Sequence, residues 1–284
     1  MNNDRIQEIL DLMEEARLDY FLISDPQSIA YCTGYYNDPH ERMFVFMISK
    51  HGNHTLFMND LFYLDHDLDV NIVWHKDGQD AIQTIVDEMH FPGRIGIDKN
   101  WASHFLLDLM KKLPDAKYIN ASPCVDLVRM KKDLQEQVLM IESSKINDAV
   151  MEEIIPFIQE GVTEKQLAKK LDELFFNHHS TCYGAIVAFG KNAADPHHEN
   201  DDTPLRKGDC VLIDMGCVYK GYCSDMTRTF FYEGILEEEI KVYEIVKKAN
   251  EAAEAMIKPG VKLSVLLDKY QALQSDETIL LLHP

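Results

Sequence analysis

The sequence has few positive charges and no long uncharged apolar segment, and these two absences exclude several classes of protein. Its 28 Lys and Arg residues stand against 48 Asp and Glu residues, which gives a net charge of −20. A chain of this charge is repelled by nucleic acid and by anionic membrane surfaces. The longest segment without Asp, Glu, Lys or Arg, residues 174–190, contains Asn, His, Ser and Thr and is too polar to span a bilayer. We expect no nucleic-acid partner and no membrane partner.

Cysteine pairs and nucleotide-binding loops are also lacking. The six cysteines are scattered without a C-x-x-C pair, and no G-x-G-x-x-G or Walker sequence occurs. Cysteine metal clusters and phosphate-binding loops therefore have no support. The segment from Met1 to Arg5 lacks the basic and apolar regions of a secretory signal. We expect a cytoplasmic protein whose cysteines are buried thiols.

The first 120 or so residues alternate helical periodicity with short apolar runs. Ile6, Ile9 and Met13 recur at helical spacing, and an apolar run at residues 20–23 follows them. Two later runs flank Lys50-His-Gly-Asn53, a composition typical of a hairpin turn. The pattern predicts an α/β domain over residues 1–130, with a mixed sheet because of the hairpin.

A different pattern begins near residue 130. Residues 125–158 predict one long helix, and Thr163-Glu-Lys-Gln166 matches the capping box that opens a further helix. Later apolar runs are separated by turn residues, and we interpret them as antiparallel strands. A last helix is expected over about residues 236–257. The predicted second domain, over residues 131–284, therefore has an α+β composition. The apolar runs lie at residues 185–189, 210–213 and 227–232.

The segment 208–229 carries the strongest chemical signal. An apolar strand delivers Asp214 at its end, Gly216 and Gly221 allow the chain to turn back, and the returning strand carries Asp225. Two carboxylates on neighbouring strands repel one another unless they share a proton or a cation. Oxygen donors suit divalent ions such as Mn²⁺, and paired ions of this kind catalyse hydrolysis. On spacing alone, a solvated hairpin with two turn aspartates stays the simpler alternative.

Three segments taken together resemble one known family. They read Asn-Ala-Ala-x-Pro-His-His at residues 192–198, Gly-Asp-x-Val-Leu-Ile-Asp-x-Gly at residues 208–216, and Tyr-x-Ser-Asp-x-Thr-Arg-Thr at residues 222–229. In this order they resemble the catalytic domain of Xaa-Pro dipeptidases (prolidases) and aminopeptidases P, in the creatinase and methionine aminopeptidase superfamily, peptidase family M24. The resemblance extends to Tyr31-x-Thr-Gly-Tyr35 and Arg129-Met-Lys-Lys-Asp133.

The resemblance implies a fold and a reaction. The fold is an α/β creatinase-like N-terminal domain over residues 1–130, followed by a partial α+β pita-bread domain over residues 131–284. The reaction is hydrolysis of the Xaa-Pro bond in a proline-containing dipeptide or peptide. Two divalent metal ions would serve it, with Mn²⁺ favoured and Co²⁺ or Zn²⁺ as alternatives. The assembly implied is a homodimer.

The resemblance also implies roles for five side chains of this sequence. Asp214 would hold one metal ion and Asp225 would bridge both ions. His197 would hydrogen-bond the substrate or the oxyanion that forms during the reaction. Thr227 and Ser224 would orient Asp225 and its water.

The sequence departs from the family pattern after Tyr270. The family's second half supplies a histidine ligand in a His-x-x-Gly-His-Gly type of motif and two glutamate ligands, which we do not find, and His283 has no glycine partner. We therefore expect weakly held metal ions and an impaired enzyme encoded by a truncated or frameshifted gene. The alternative is a catalytically inactive remnant, or a binding or oligomerisation module of the same family.

Overall fold

The computed structural model describes residues 1–64, 66–90 and 92–275. His283, which was not expected to bind metal, lies outside these residues. The chain divides into two compact units, Met1–Lys132 and Asp133–Pro284. Among the described helices, none is both long enough and apolar enough to cross a membrane.

The first unit alternates helices with the strands of one six-stranded sheet. The strand order is β4-β3-β2-β1-β5-β6. The β1–β2 and β2–β3 pairs are antiparallel and the other pairs are parallel, so the predicted mixed sheet is confirmed. The elements are α1 (Asn3–Glu15), β1 (Tyr20–Ile23), α2 (Pro26–Thr33), β2 (Val45–Ser49), β3 (Thr55–Asn59), β4 (Asn71–His75), α3 (Ala81–Glu88), β5 (Arg94–Ile97), α4 (Ser103–Lys112), β6 (Lys117–Asn120) and α5 (Ser122–Met130).

Strand β1 lies inside this sheet, and all four of its residues are buried. Phe21 and Ile23 belong to the core cluster that contains Ile9 of α1. Tyr20 and Leu22 belong to a second cluster, which includes side chains of α3 and α4. This alternation follows from the period of two along a strand. It explains why β1 is a continuous apolar run, because both faces of the sheet are covered by helices.

Asp98 ties the end of β5 to the end of β1. Its carboxylate accepts hydrogen bonds from the Ser24 N–H at 2.5 Å, the Ser24 hydroxyl at 2.7 Å, the Asp25 N–H at 2.7 Å and the Asn100 N–H at 3.0 Å. Asp98 is buried, with only 7% of its surface exposed to solvent. Removing a buried acceptor leaves its donors without partners, which costs more than the bonds contribute net.

We therefore predict that Asp98→Ala lowers the free energy of unfolding of the first unit by about 3 kcal/mol. Urea denaturation followed by tryptophan fluorescence measures the change, since Trp74 and Trp101 both lie in this unit. Asp115→Ala is the matched control, because Asp115 is exposed in the loop before β6. Equal stability of the two variants would contradict the role given to Asp98.

The second unit contains two antiparallel sheets and four helices within the described residues. The sheets have the orders β12-β9-β8 and β11-β10-β7, so the predicted antiparallel strands are confirmed. Helix α9 was not predicted from the sequence. The elements are α6 (Leu134–Ile154), α7 (Glu164–Asn177), β7 (Thr181–Cys182), β8 (Ile186–Phe189), β9 (Cys210–Met215), β10 (Cys217–Tyr219), β11 (Tyr222–Cys223), β12 (Met226–Phe231), α8 (Glu237–Glu254) and α9 (Leu263–Ser275).

The single long helix predicted over residues 125–158 is wrong. The chain forms α5 and α6 instead, with Lys131 in an extended conformation between them. Asp133 caps α6 by accepting the Glu136 N–H at 2.9 Å, and the Glu136 carboxylate accepts the Asp133 N–H at 2.9 Å. This reciprocal capping box satisfies two N–H groups that a helix start leaves free. The helical periodicity continues across these charged residues, so periodicity alone does not reveal the boundary between the two helices.

Candidate metal centre

Asp214 lies near the end of β9, the middle strand of its sheet. The register pairs it with Ile186 of β8 and with Thr227 of β12. Residues paired across an antiparallel ladder point to the same face, and the Thr227 hydroxyl donates to Asp214 Oδ1 at 2.7 Å. Thr227 therefore orients Asp214. The family resemblance had implied that Thr227 would orient Asp225.

Asp225 directly precedes β12, two residues before Thr227. Side chains two residues apart along a strand share a face, so an extended chain from Asp225 to Thr227 would place Asp225 on the face of Asp214. Burial raises the pKa of the nearby Tyr183 hydroxyl, and the charges of Asp225, Cys223 and Asp214 raise it further. Both carboxylates therefore lie close enough to Tyr183 to influence its ionisation.

Gly216 lies where the chain passes from β9 into the second sheet. A Cβ atom on this residue would lie 2.3 Å from the Ser224 carbonyl oxygen and 2.4 Å from the Tyr183 hydroxyl. The Tyr183 hydroxyl itself donates to that carbonyl oxygen at 2.9 Å. Glycine is therefore required by the close approach of the backbone segment that carries Asp225.

Ser224 is buried, and its hydroxyl points toward α6. The Ser143 hydroxyl of α6 donates to it at 3.0 Å, and the Cys217 Sγ lies 3.4 Å from it. Neighbouring side chains along an extended segment point to opposite faces, so this hydroxyl lies away from the face of Asp225. The structure gives Ser224 a different role from the expected one. It anchors the backbone before Asp225 to α6 and does not contact the carboxylate.

His197 lies in the segment 190–200, which we term the histidine loop. Its side chain is exposed, and its N–H donates to Asp195 Oδ1 at 3.0 Å. The neighbouring His198 is largely buried, and its Nε2 lies 2.6 Å from Glu164 Oε2. Glu164, the first residue of α7, is fully buried. Sequence reasoning missed Glu164, because a glutamate in a first helical turn is usually explained by the helix dipole.

Glu164, His198 and Asp201 form a group whose ligand atoms lie within 4.8 Å of one another, a spacing that could hold a metal ion. However, Glu164 Oε1 already accepts from the Phe189 N–H and the Asn192 amide, each at 2.9 Å. Its Oε2 accepts from His198 and from the Asp201 N–H at 3.0 Å. An ionised carboxylate has about four acceptor sites, so this one has none left for a cation. The geometry fits a buried carboxylate at the centre of a hydrogen-bond network better than a metal site.

Asp214 and Asp225 remain the candidate ligands for a divalent ion. Both are carboxylates, both are accessible to solvent, and the Thr227 hydroxyl fixes one of them. Hard and intermediate divalent ions prefer such oxygen donors and take further ligands from water and from other side chains. A hydrogen bond to a ligating carboxylate is the usual second shell of such a centre.

Comparison with known proteins identifies the family. The model of the Creatinase/Prolidase N-terminal domain matches residues 5–131, and the model of metallopeptidase family M24 matches residues 138–277. A crystal structure of a dipeptidase from Pyrococcus horikoshii OT3 is 31% identical and superposes with a TM-score of 0.86. The match covers 96% of this chain and 78% of that one. The chain belongs to metallopeptidase family M24.

Other M24 relatives agree with this assignment. A recombinant prolidase from Thermococcus sibiricus is 27% identical, with a TM-score of 0.90 over 97% of this chain and 78% of that chain. An uncharacterised peptidase of Staphylococcus saprophyticus is 28% identical over 91% of this chain and 75% of its own length. The expected combination of a creatinase-like N-terminal domain and a pita-bread domain is confirmed. Family membership implies a hydrolase of peptide bonds that depends on divalent metal ions.

Proposed function

We propose that this M24 peptidase hydrolyses the Xaa-Pro bond of dipeptides, with two divalent metal ions that Asp214 and Asp225 help to hold. The observation that carries the proposal is that Thr227, which pairs with Asp214 across the sheet and lies two residues after Asp225, donates a hydrogen bond to the Asp214 carboxylate. The similarity of the chain to a dipeptidase and to a prolidase supports the choice of substrate. Mn²⁺ is the ion we favour, with Co²⁺ or Zn²⁺ as alternatives.

Several side chains of this chain would position the metal ligands and the substrate. When bound, the divalent ions supply Lewis-acid activation of water and of the scissile carbonyl. Thr227 holds Asp214 in one orientation, and the Ser143–Ser224 bond holds the backbone before Asp225. His197, exposed on the histidine loop, donates a hydrogen bond to the substrate as negative charge develops on its carbonyl oxygen. We further propose a homodimer in the cytoplasm, where the six cysteines remain free thiols.

The test is turnover of matched dipeptides by the Mn²⁺-loaded protein. We expect Ala-Pro to be hydrolysed and Ala-Ala to be left intact, with free proline as the product to be measured. Ala-Pro-Ala, assayed in parallel, separates a dipeptidase from an aminopeptidase that removes the residue before proline. Absence of turnover in a protein with intact secondary structure would contradict the proposal and favour an inactive member of the family.

His197→Ala is expected to lower kcat/KM for Ala-Pro by about 100-fold, the usual loss when one donor to a developing oxyanion is removed. Mn²⁺ binding should not change, because His197 is not proposed as a ligand. Steady-state kinetics and a Mn²⁺ titration measure the two effects separately. His179→Asn serves as the control, since His179 is an exposed histidine and its left-handed backbone, with φ of 56°, tolerates asparagine. Unchanged kinetics of the His197 variant would remove His197 from the site.

A further inference from the structure

Glu164 joins four separate parts of the second unit. It begins α7, and its carboxylate accepts N–H groups from the end of β8 at Phe189 and from Asn192 in the turn that opens the histidine loop. It also accepts from His198 within the loop and from Asp201 just beyond it. The buried carboxyl group is therefore matched by four hydrogen-bonding partners, as buried polar groups in proteins usually are.

The bond between His198 and Glu164 is short. Glu164 Oε2 also accepts the Asp201 N–H, and we assign the shared proton to His198 Nε2, which makes the carboxylate the acceptor in both bonds. The 2.6 Å separation and the 12% exposure of the His198 side chain describe a short, largely desolvated, charge-assisted bond. Bonds of this kind fix the orientation of the residues that make them.

His197 is held mainly through its neighbours. Among the described residues, its imidazole makes no hydrogen bond, while its N–H contacts Asp195 within the same loop. The loop is closed at its far end by Asn200, which accepts the Val187 N–H at 2.7 Å and donates to the Ala185 carbonyl at 2.7 Å. Between these ends, the His198–Glu164 bond is the side-chain contact nearest to His197 that joins the loop to another element, because the Asp195 contact stays within the loop. Its position therefore depends on that bond.

We propose that Glu164 is the positioning residue of the histidine loop: through His198 and the N–H groups of Phe189 and Asp201, it places His197 for contact with the substrate. The part played by His197 rests on the proposed function, whereas the control of the loop by Glu164 does not. Glu164→Gln is the sharpest variant, because the amide keeps the shape of the carboxylate and turns an N–H donor toward groups that already donate.

The first experiment measures loop order without any turnover. Backbone amide heteronuclear NOE values for residues 193–195 and 197–199 are compared in the wild type, Glu164→Gln and Glu199→Gln. We expect reduced values only in Glu164→Gln, together with loss of the slowly exchanging His198 Nε2–H signal. Glu199 is the matched control, since it is an exposed glutamate in the same loop. If Glu164→Gln folds poorly, His198→Leu replaces it, and His198→Gln, which keeps a donor near the Nε2 position, should restore order.

The second experiment is a double-mutant cycle on turnover of Ala-Pro. Glu164→Gln is expected to lower kcat/KM by about 10- to 100-fold, as for other supporting residues behind a functional group. In the His197→Ala background the same change should add almost nothing, because residues that act through one another are not additive. A merely structural role would give the full loss in both backgrounds.

The two experiments separate the two claims. An ordered loop in Glu164→Gln, or additive losses in the cycle, would overturn the role of Glu164. If the wild type hydrolyses no Xaa-Pro dipeptide, the proposed function fails, and the NMR comparison alone decides whether Glu164 controls the loop.

Discussion

Asp225→Asn is expected to abolish turnover of Ala-Pro and to weaken Mn²⁺ binding by more than about 100-fold. Loss of groups that merely support a ligand already costs about 10- to 100-fold in metal affinity, so loss of a ligand should exceed that range. The amide keeps the size of the carboxylate and removes its charge, so the effect reports on coordination and not on packing.

Free Mn²⁺ measured by electron paramagnetic resonance gives the affinity, and proline release gives the turnover. Asp148→Asn is the matched control, because Asp148 is an exposed aspartate of α6 in the same unit. Equal Mn²⁺ affinity in the Asp225 and Asp148 variants would show that the paired aspartates are a solvated hairpin, the alternative that the sequence left open.

Gly216→Ala is expected to damage the site without touching either carboxylate directly. The added methyl group would lie 2.3 Å from the Ser224 carbonyl oxygen, so the backbone before Asp225 must move. Overpacking of this kind costs about 1–3 kcal/mol of stability, and the displaced Asp225 should lower Mn²⁺ affinity by about 10- to 100-fold, as other changes behind a metal ligand do.

Two comparisons sharpen this prediction. Gly234→Ala is the control, since a Cβ there would meet its nearest neighbour at an ordinary 3.5 Å. Removing the Tyr183 hydroxyl in Gly216→Ala/Tyr183→Phe should not rescue the site, because the clash with the Ser224 carbonyl remains. Mn²⁺ titration and thermal unfolding measure both effects. Wild-type affinity in Gly216→Ala would mean that the crossing between the two sheets does not position Asp225.

Local patterns in the sequence predicted most of the strands. The mixed sheet follows from the turn at residues 50–53. This turn joins β2 and β3 as a hairpin, which makes them an antiparallel pair within an otherwise alternating α/β pattern. Asp214 and Asp225 were predictable as a pair, since Asp214 lies near the end of β9 and Asp225 directly precedes β12, the strand that pairs with β9. The break between α5 and α6 was missed, although Asp133 and Glu136 have the same capping-box spacing as Thr163 and Gln166, because the helical periodicity was followed across them.

The supporting residues of the site could not be predicted from sequence. The partner of Thr227 depends on the register of β9 against β12, which pairs it with Asp214. The Ser224 hydroxyl meets Ser143, and Glu164 meets His198, in both cases across a long stretch of chain. Contacts of this kind are set by tertiary packing, which periodicity and capping patterns do not describe.

The short connection between β9 and β12 has a consequence for the order of events during folding. Closing a short loop takes well under a microsecond, and a β-hairpin forms in about 1–10 microseconds. The contact between Glu164 and His198 forms later, because it closes a longer loop of the chain. Nascent chains would therefore present the two acidic groups side by side at an early stage, before the remainder of the domain condenses. A cation captured then would act as a template for assembly, and adding Mn²⁺ should accelerate refolding of the wild type but not of Asp225→Asn.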